Sequence, residues 1–477
     1  MNKDVAEMSQ VYQVEATEQG VPAGYKQTEV GVTNSSGANL NATSGGPQAG
    51  GMDSRRIPEG WVVYSLGELL KEPPKYGINA AAVALTRLLP VYIRITDISE
   101  DGYFKPAEKV GVDSPFSDLY QLAEGDILLV RTGASVGKSY LYNKSDGELV
   151  YAGFLIKVSP NKTKLDPRYL SQYLKTEKYW NWVVVNSMRS GQPGINGQEY
   201  ASLPIACPPI DEQTAIANAL SDVDALLGEL EKLIAKKQAI KTATMQQLLT
   251  GRTRLPQFAQ HQDGSPKGYK QSELGEIPED WDSINLGVCA EVCMCKRIFS
   301  NQTLDVGFIP FYKIGTFGKE ADAYISKEIY AEYRAKYSFP KKGDVLISAA
   351  GTLGRTVIYD GEPAYFQDSN IVWLDINKSK LSNIYLYHYY QVIKWASTEG
   401  STIARLYNGI IKASLITLPS IEEQTAIATI LSDMDAELQA LEQRLNKTRQ
   451  IKQGMMQQLL TGKIRLAKPT HKESEYD

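Results

Sequence analysis

The sequence repeats itself, and this duplication constrains the fold more than any other feature. Residues 211–255 read DEQTAIANALSDVDALLGELEKLIAKKQAIKTATMQQLLTGRTRL, and residues 422–466 read EEQTAIATILSDMDAELQALEQRLNKTRQIKQGMMQQLLTGKIRL. The two segments align without a gap, and about 26 of their roughly 45 positions are identical. We therefore expect one structural plan used twice, with two copies related like the halves of a dimer.

A shorter repeat opens each half of the chain. GYKQTEVG at Gly24–Gly31 matches GYKQSELG at Gly268–Gly275, and IPEGW at Ile57–Trp61 matches IPEDW at Ile277–Trp281. Only the first copy is interrupted, by residues 33–56, which are rich in Gly, Ser and Asn and which we interpret as a surface linker. By analogy with the second copy, the first piece is expected to pack near the end of the second long repeat.

The sequence between the repeats predicts two mixed α/β domains. Strand-like runs bounded by Gly and Asp dominate there, and GDILL at Gly125–Leu129 resembles GDVLI at Gly343–Ile347. The predicted segments are an N-terminal arm (1–56), a first variable domain (57–209), a central long helix (210–251), a linker (252–276), a second variable domain (277–419), a C-terminal long helix (420–462) and a tail (463–477). The fold class is mixed α+β, in which two long antiparallel coiled-coil helices separate two domains in pseudo-two-fold arrangement.

Each long repeat has the apolar spacing of a coiled-coil helix. Apolar residues recur at alternating steps of four and three, no proline interrupts them, and Gly251 and Gly462 stand in the helix-terminating position. Ser420 and Glu423 predict a capping box at the start of the second helix. About 40 residues would give a rod of roughly 60 Å. The alternative is an ordinary core helix. The seam residues are Ile216, Leu220, Val223, Leu227, Leu230, Ile234, Ile427, Leu431, Met434, Leu438, Leu441 and Leu445.

Composition excludes several classes of protein. The net charge of −4 does not attract nucleic acid in bulk, so DNA binding would need local basic patches or basic partners. Four cysteines exclude a disulfide scaffold, and Cys289, Cys293 and Cys295 lack a nearby fourth ligand for zinc. Without a leader or a long apolar run, we expect a cytoplasmic protein.

Two pairs of polar loops are the candidate binding elements. RTGASVGKS at Arg131–Ser139 imitates a phosphate loop, but only three residues separate its glycines, and GTLGRT at Gly351–Thr356 lacks the lysine. Such loops can present backbone N–H groups and one cation to DNA; a plain hairpin turn is the alternative. The loops at Ser190–Asn196 and Ser401–Asn408 are either binding loops or solvated connectors. Catalytic motifs are missing and histidines number three, so the sequence predicts a non-catalytic binding protein.

Taken together, these motifs resemble the specificity subunit of type I restriction–modification systems. The residues that carry the resemblance are PIDEQ at Pro209–Gln213, IEEQ at Ile421–Gln424, and MQQLLTG at Met245–Gly251 and Met456–Gly462. The resemblance implies that each variable domain is a target-recognition domain reading one half of a bipartite site in double-stranded DNA. It also implies that the helices set the gap between the halves.

The partners follow from the same resemblance. It implies two methyltransferase subunits that flip out and methylate adenine N6 with S-adenosylmethionine, and restriction subunits that use ATP and Mg²⁺ for translocation and cleavage. No cofactor is expected in this chain, whose location would be the prokaryotic cytoplasm, at the nucleoid through DNA binding. Two competing functions are an NTPase that uses residues 133–139 and a coiled-coil scaffold whose variable domains bind protein.

Base-reading residues are predicted from position and chemistry. Arginine can donate to guanine O6 and N7, and asparagine or glutamine can pair with adenine. The DNA-binding candidates of the first domain are Arg94, Arg131, Thr132, Ser135, Lys138, Arg189, Gln192 and Asn196, and those of the second are Lys313, Thr316, Thr352, Arg355, Thr402, Arg405 and Asn408.

Overall fold

The chain divides into two compact units, and each unit combines one variable domain with part of both long helices. The structure, a computed structural model, describes residues 25–27, 56–393, 395 and 405–466. Unit 1 comprises Met1–Glu229 and Leu445–Asp477, and unit 2 comprises Leu230–Arg444. The N-terminal arm other than Tyr25–Gln27, the insert up to residue 55, Thr402 and the end of the tail lie outside the described residues.

Two helices are far longer than the others and match the two long repeats. The helices are α1 Pro167–Tyr173, α2 Glu177–Ser187, α3 Gly197–Ala201, α4 Ile210–Leu249, α5 Lys327–Lys336, α6 Asn383–Tyr389, α7 Asn408–Ala413 and α8 Ile421–Leu459. Both α4 and α8 stop just before a glycine with positive φ, Gly251 at 73° and Gly462 at 69°, as the sequence predicts. Among the described residues, no helix is long and apolar enough to cross a membrane.

Unit 1 contains two four-stranded sheets and two short ribbons. Its strands are β1 Tyr25–Gln27, β2 Arg56–Pro58, β3 Val62–Ser65, β4 Lys75–Tyr76, β5 Val83–Ala84, β6 Val91–Ile93, β7 Val110–Gly111, β8 Ile127–Val130, β9 Ser139–Leu141, β10 Leu149–Tyr151, β11 Leu155–Val158 and β12 Pro204–Cys207. The sheets have the orders β10-β6-β7-β5 and β4-β11-β8-β9, and the ribbons are β1-β2 and β12-β3. Among the described strands of unit 1, β6 and β10 form the parallel pair.

Unit 2 repeats this topology. Its strands are β13 Tyr269–Ser272, β14 Gly275–Pro278, β15 Asp282–Asn285, β16 Ala290–Cys293, β17 Ile309–Tyr312, β18 Tyr324–Ile325, β19 Val345–Ser348, β20 Thr356–Ile358, β21 Tyr365–Phe366, β22 Ile371–Ile376 and β23 Leu415–Leu418. The sheets are β16-β22-β19-β20 and β18-β17-β21, and the ribbons are β13-β14 and β15-β23. Again one pair, β17 with β21, is parallel. The predicted duplication is therefore visible in the strand order, even where the sequences differ.

The opening repeat forms the same ribbon in both units. Tyr25 pairs with Pro58 in β1-β2, just as Tyr269 pairs with Pro278 in β13-β14. In each unit this proline lies against the glycine that follows a long helix, Gly462 in unit 1 and Gly251 in unit 2, where a Cβ would collide with it. The chain thus joins its first ribbon to the end of α8, although the two are far apart in sequence.

The long helices bury their apolar seams. None of the seam residues is exposed, and Ile216, Leu220, Ile427 and Leu431 are almost completely buried. Ile216 and Leu220 belong to the core of the first domain, and Ile427 and Leu431 to the core of the second. The beginning of each helix therefore packs on its own domain and also meets the end of the other long repeat, since Leu459 and Leu460 belong to the first core and Leu248 and Leu249 to the second. The sequence predicted the pairing of the helices but not the packing on the domains.

An ion pair, buried in unit 2 and partly exposed in unit 1, joins the end of one long helix to the start of the other within each unit. In unit 2, Arg254, just after α4, donates to both carboxylate oxygens of Glu423 in α8 at 2.9 and 2.7 Å. The indole N–H of Trp281 donates to the same carboxylate at 2.9 Å. In unit 1, Arg465 donates twice to Glu212 at 2.7 Å. We call these two pairs the latches; they hold the two helices antiparallel in each unit.

The glutamine that follows each latch glutamate also joins the domain to its long helix through hydrogen bonds. Gln213 accepts a hydrogen bond from the Asp166 backbone and donates to the Lys164 and Pro208 carbonyls at 3.0 Å each. Gln424 accepts from Ser382 and donates to the Lys380 and Pro419 carbonyls. Because both glutamine side chains are buried and fully hydrogen-bonded to the domain, the repeated Glu-Gln pair fixes the domain on its helix.

We predict that the latch of unit 2 contributes more stability than that of unit 1. The Arg254 side chain is 5 % exposed and that of Glu423 is 2 % exposed. Arg254→Ala leaves a buried carboxylate without its counter-charge and should lower the free energy of unfolding by about 3–5 kcal/mol. Arg465→Ala should cost less, because its side chain is 37 % exposed. Urea denaturation measures both.

The matched control is Arg252→Ala, which removes an exposed arginine two residues away. It should leave the unfolding midpoint unchanged. Equal losses for Arg252→Ala and Arg254→Ala would contradict the role that we assign to the latch.

A second polar contact between the helices differs between the units. In unit 1, Lys452 of α8 pairs with Asp224 of α4 at 2.6 Å, and Gln172 of α1 donates to this aspartate at 2.9 Å. In unit 2, Lys241 of α4 pairs with Asp435 of α8 at 2.5 Å, and His388 occupies the place of the glutamine. His388 is completely buried, and its Nε2 lies 3.1 Å from Ser432 Oγ. Its Nδ1 has no hydrogen-bond partner among the described residues.

Burial lowers the pKa of His388 from 6.5 to about 4, although Asp435 opposes this shift. Below pH 6.5 the unfolded chain binds a proton that the folded chain does not. The free energy of unfolding should therefore fall by about 3 kcal/mol between pH 6.5 and pH 4. His388→Gln, which copies unit 1, should remove this part of the pH dependence in urea titrations. An unchanged pH dependence in the variant would contradict the assignment.

Candidate nucleic-acid interface

The two candidate loops of the first domain lie side by side. Ile195 N donates to Arg131 O at 2.8 Å, and Gly133 N donates to Pro193 O at 3.0 Å. The Thr132 hydroxyl also donates to Pro193 O at 3.3 Å. These bonds join residues 131–138 and 189–196, which, with residues 152–154, we call the first loop face.

The glycine loop of this face is a turn between two strands. It connects β8 to β9 and makes turn hydrogen bonds from Val136 N to Gly133 O and from Lys138 N to Ser135 O. Gly137 has a φ of 91° and lies against Val183 of α2, so that a Cβ would collide with this side chain. A phosphate loop would instead open a helix. The observed geometry therefore agrees with the wrong glycine spacing and gives no support to the NTPase alternative.

Arg131 is the candidate of this face that is best placed to meet a base. Its guanidinium lies over the ring of Tyr76, 4.9 Å from the centroid, and its Nε is buried without a hydrogen-bond partner among the described residues. Its backbone N–H donates to the carbonyl of Phe154, whose side chain is 58 % exposed. The tyrosine orients the arginine without using its hydrogen-bond donors.

Other candidates of the first domain pair with neighbouring carboxylates. Arg94 makes two hydrogen bonds to Asp97 at 2.9 and 2.8 Å, and these bonds raise its pKa. Lys138 pairs with Glu100 at 2.5 Å, and Arg189 pairs with Glu199 at the same distance.

Asn196 has a structural role that the sequence analysis did not assign to it. It caps α3, accepting the Glu199 N–H at 2.9 Å in a capping box. Ser135 is half-buried, and Gln192 is exposed close to Gly133. Arg131 and Gln192 are thus the more available side chains of this set.

The second domain builds an equivalent face. Leu406 N donates to Ala349 O at 2.9 Å, which matches the bond from Ile195 to Arg131, and Ala350 bridges Arg405 as Thr132 bridges Gly194. We call residues 313–317, 349–355, 367–370 and 405–408 the second loop face. The sequence predicted three of these four segments; it missed residues 367–370.

The candidates of the second face differ in availability. Arg355 donates to the Phe317 carbonyl at 2.8 Å, and Lys313 pairs with Asp322 at 2.9 Å. Thr316 accepts the Lys313 N–H in a turn. Thr352 and Asn408 are exposed. Arg405 donates to Asn370 Oδ1 at 3.2 Å.

Segments 74–76 and 367–370 gave no signal in the sequence. Tyr76 is one of 28 tyrosines, and nothing marks it as the neighbour of Arg131. Residues 367–370 read QDSN, an ordinary turn sequence. Only the packing of strands distant in sequence brings them to the faces.

The described residues show no arrangement for metal binding. No group of three or more His, Cys, Asp or Glu side chains among them could hold a metal ion. The four cysteines are free thiols; burial raises the pKa of Cys207 and of Cys295 to about 12 in each case, so both are poorly reactive.

Two mixed α/β domains, each joined to a long helix, define the fold class that the sequence predicts. The same fold occurs in the S subunit of the type I restriction–modification system from M. genitalium, with a TM-score of 0.54 and 16 % sequence identity over 84 % of this chain and 96 % of that chain.

Sequence comparisons define the family. The type I restriction modification DNA specificity domain matches residues 58–242 and 278–453. A type I restriction enzyme specificity subunit from Haemophilus influenzae is 40 % identical over 65 % of this chain and 75 % of its own length. A type I restriction enzyme specificity subunit from Methanocaldococcus jannaschii is 28 % identical over 86 % of this chain and 95 % of its own. The chain belongs to the family of type I restriction–modification specificity subunits, the non-catalytic members that recognise DNA sequence.

Arg131 gives the most direct test of the first loop face. If its guanidinium reads a base, Arg131→Ala should cost about 1–3 kcal/mol of binding energy at the cognate site and relax one position of the recognised sequence. Competition binding against duplexes that vary one base pair at a time measures this effect. An equal loss of affinity for all sequences would make Arg131 a phosphate contact instead.

Proposed function

We propose that this chain reads a two-part sequence in double-stranded DNA, one half with each loop face. The single observation that supports this best is the duplicated face: equivalent backbone bonds, from Ile195 to Arg131 and from Leu406 to Ala349, present different side chains. A shared frame with different contact residues is what two recognition sites for two different base sequences require. Each face also carries an arginine next to the bridge between its loops, Arg131 in the first and Arg405 in the second.

The long helices would set the number of unread base pairs between the two halves. Helix α4 starts in unit 1 and ends in unit 2, and α8 runs from unit 2 to unit 1. Within each unit, the latches and the Lys-Asp pairs give the two helices an antiparallel register. A rod with such a register has a defined length, so the spacing of the half-sites would be a property of this chain.

The chemistry would belong to partner subunits. Two methyltransferase subunits, docked on the helical parts, would methylate one adenine N6 in each half-site and would bring S-adenosylmethionine. Restriction subunits would bring ATP and Mg²⁺. Since the net charge of this chain is −4, the partners would also supply part of the positive charge that holds the DNA backbone. The chain would work in the cytoplasm, at the nucleoid.

Genome-wide mapping of N6-methyladenine tests this proposal. The chain is co-expressed with its cognate methyltransferase subunit in a host that lacks DNA methylation, and long-read sequencing locates the modified bases. We expect one split motif with a constant gap, methylated on opposite strands. The host that carries the methyltransferase subunit alone should show no such motif.

A properly folded complex that methylates no split motif would contradict the proposal. Binding of a protein ligand that duplex DNA does not compete away would then favour the scaffold alternative. Arg252→Ala, an exposed arginine outside both loop faces, should leave the motif unchanged.

A further inference from the structure

The second loop face contains a strained turn that the first face lacks. Ser369 has a φ of 59°, and among the described residues no other residue except glycine has a positive φ. Asn370 N donates to Asp368 O at 2.7 Å and closes the turn around Ser369. This conformation is unfavourable for a residue with a Cβ, so the surrounding structure must impose it.

Contacts on both sides of the turn impose the strain. The Asn370 carbonyl accepts a hydrogen bond from Ala349 N at 2.7 Å, which ties it to the glycine loop. Gln367 accepts the Ile314 N–H at 2.9 Å through its side chain, and Asp368 accepts from Arg297 at 2.9 Å. The turn therefore joins segments 313–317 and 349–355 of the face, is also held by Arg297 outside it, and keeps Asn370 in a defined position.

Asn370 links this turn to the arginine of the face. Its Oδ1 accepts a hydrogen bond from Arg405 Nη2 at 3.2 Å. Its own amide nitrogen, Nδ2, donates to none of the described residues, and it is not among their buried unsatisfied atoms. The side chain thus fixes one nitrogen of the guanidinium and leaves an –NH₂ donor that water reaches in the free protein.

We propose that Asn370 is a specificity-determining residue for the second half-site. This inference rests on the function proposed above and names a reader within it. Arg405, held by Oδ1, donates to a guanine, and Nδ2 donates to an acceptor atom on the edge of the neighbouring base. The two side chains act as one reading unit, because movement of either one displaces the other.

The first face orients its arginine with different side chains. Phe154 stands where Asn370 stands, since its carbonyl accepts the N–H of Arg131 as the Asn370 carbonyl accepts that of Ala349. The arginine comes from the opposite strand of the bridge and is oriented by the ring of Tyr76. An aromatic surface thus takes the place of the polar turn, so the two faces should prefer different bases.

Two substitutions separate the two roles of Asn370. Asn370→Ala removes the acceptor and the donor, and should relax two neighbouring positions of the second half-motif, including the guanine read by Arg405. Asn370→Asp keeps an oxygen for Arg405 and removes the –NH₂ donor, so it should relax only one of them. At each relaxed position the preference for the wild-type base should fall roughly ten-fold. The measurement is the methylation map of the complex with its methyltransferase subunit.

The controls separate base reading from a general structural effect. Asn377→Ala lies beyond the opposite end of β22, where its side chain only caps Ser379, and should leave the motif intact. The first half-motif should stay unchanged in every variant. If Asn370→Ala and Asn370→Asp both keep the wild-type base preferences, or lose methylation equally at all sites, the inference is wrong. A wild-type chain without a split motif would instead contradict the proposed function.

Discussion

The latch between arginine and glutamate is the interaction on which the rest of the structure depends. In each unit an arginine just after one long helix binds a glutamate in the first turn of the other, so the end of one helix and the start of the other meet. The tryptophan of the opening repeat lies under the arginine in both units, 5.8 Å from its guanidinium carbon. This contact joins the long repeat, which supplies the glutamate and the arginine, to the opening repeat, which supplies the tryptophan. Because both units make the same contact, the two copies of each repeat are similar.

The latch also explains why the loop faces are free to differ. The Glu-Gln pair, the arginine and the tryptophan fix the base of each domain. The strands that both units share have the same order, although the second sheet has four strands in unit 1 and three in unit 2. In each face, backbone hydrogen bonds join the loop that follows β8 or β19 to the connector loop. Side chains such as Arg131 and Arg405, or Phe154 and Asn370, can therefore change without loss of the frame. A recognition protein needs this separation of a constant frame from variable contacts.

Much of the fold could be predicted from the sequence, but less of the site. Heptad spacing and terminal glycines predicted both long helices correctly, because these signals are local in the sequence. The pairing of glycine loop with connector loop was not predictable, since it depends on β-bridges between residues such as Thr132 and Gly194. Glu423 was expected to complete a capping box with Ser420; only the Ser420 half forms, at 3.3 Å, because the carboxylate binds Arg254. Asn196 and Arg94 were expected to contact bases, but Asn196 is hydrogen-bonded to Glu199 and Arg94 to Asp97.

We propose that two copies of one frame each read half of a DNA site. Replacing residues 57–209 by a second copy of residues 277–419, within the otherwise unchanged chain, tests it most directly. Methylation mapping of this chain with its methyltransferase subunit should give a motif of two identical, inverted halves, each matching the second half of the wild-type motif, with the gap conserved. A folded, active complex that still methylates the wild-type asymmetric motif would contradict the account.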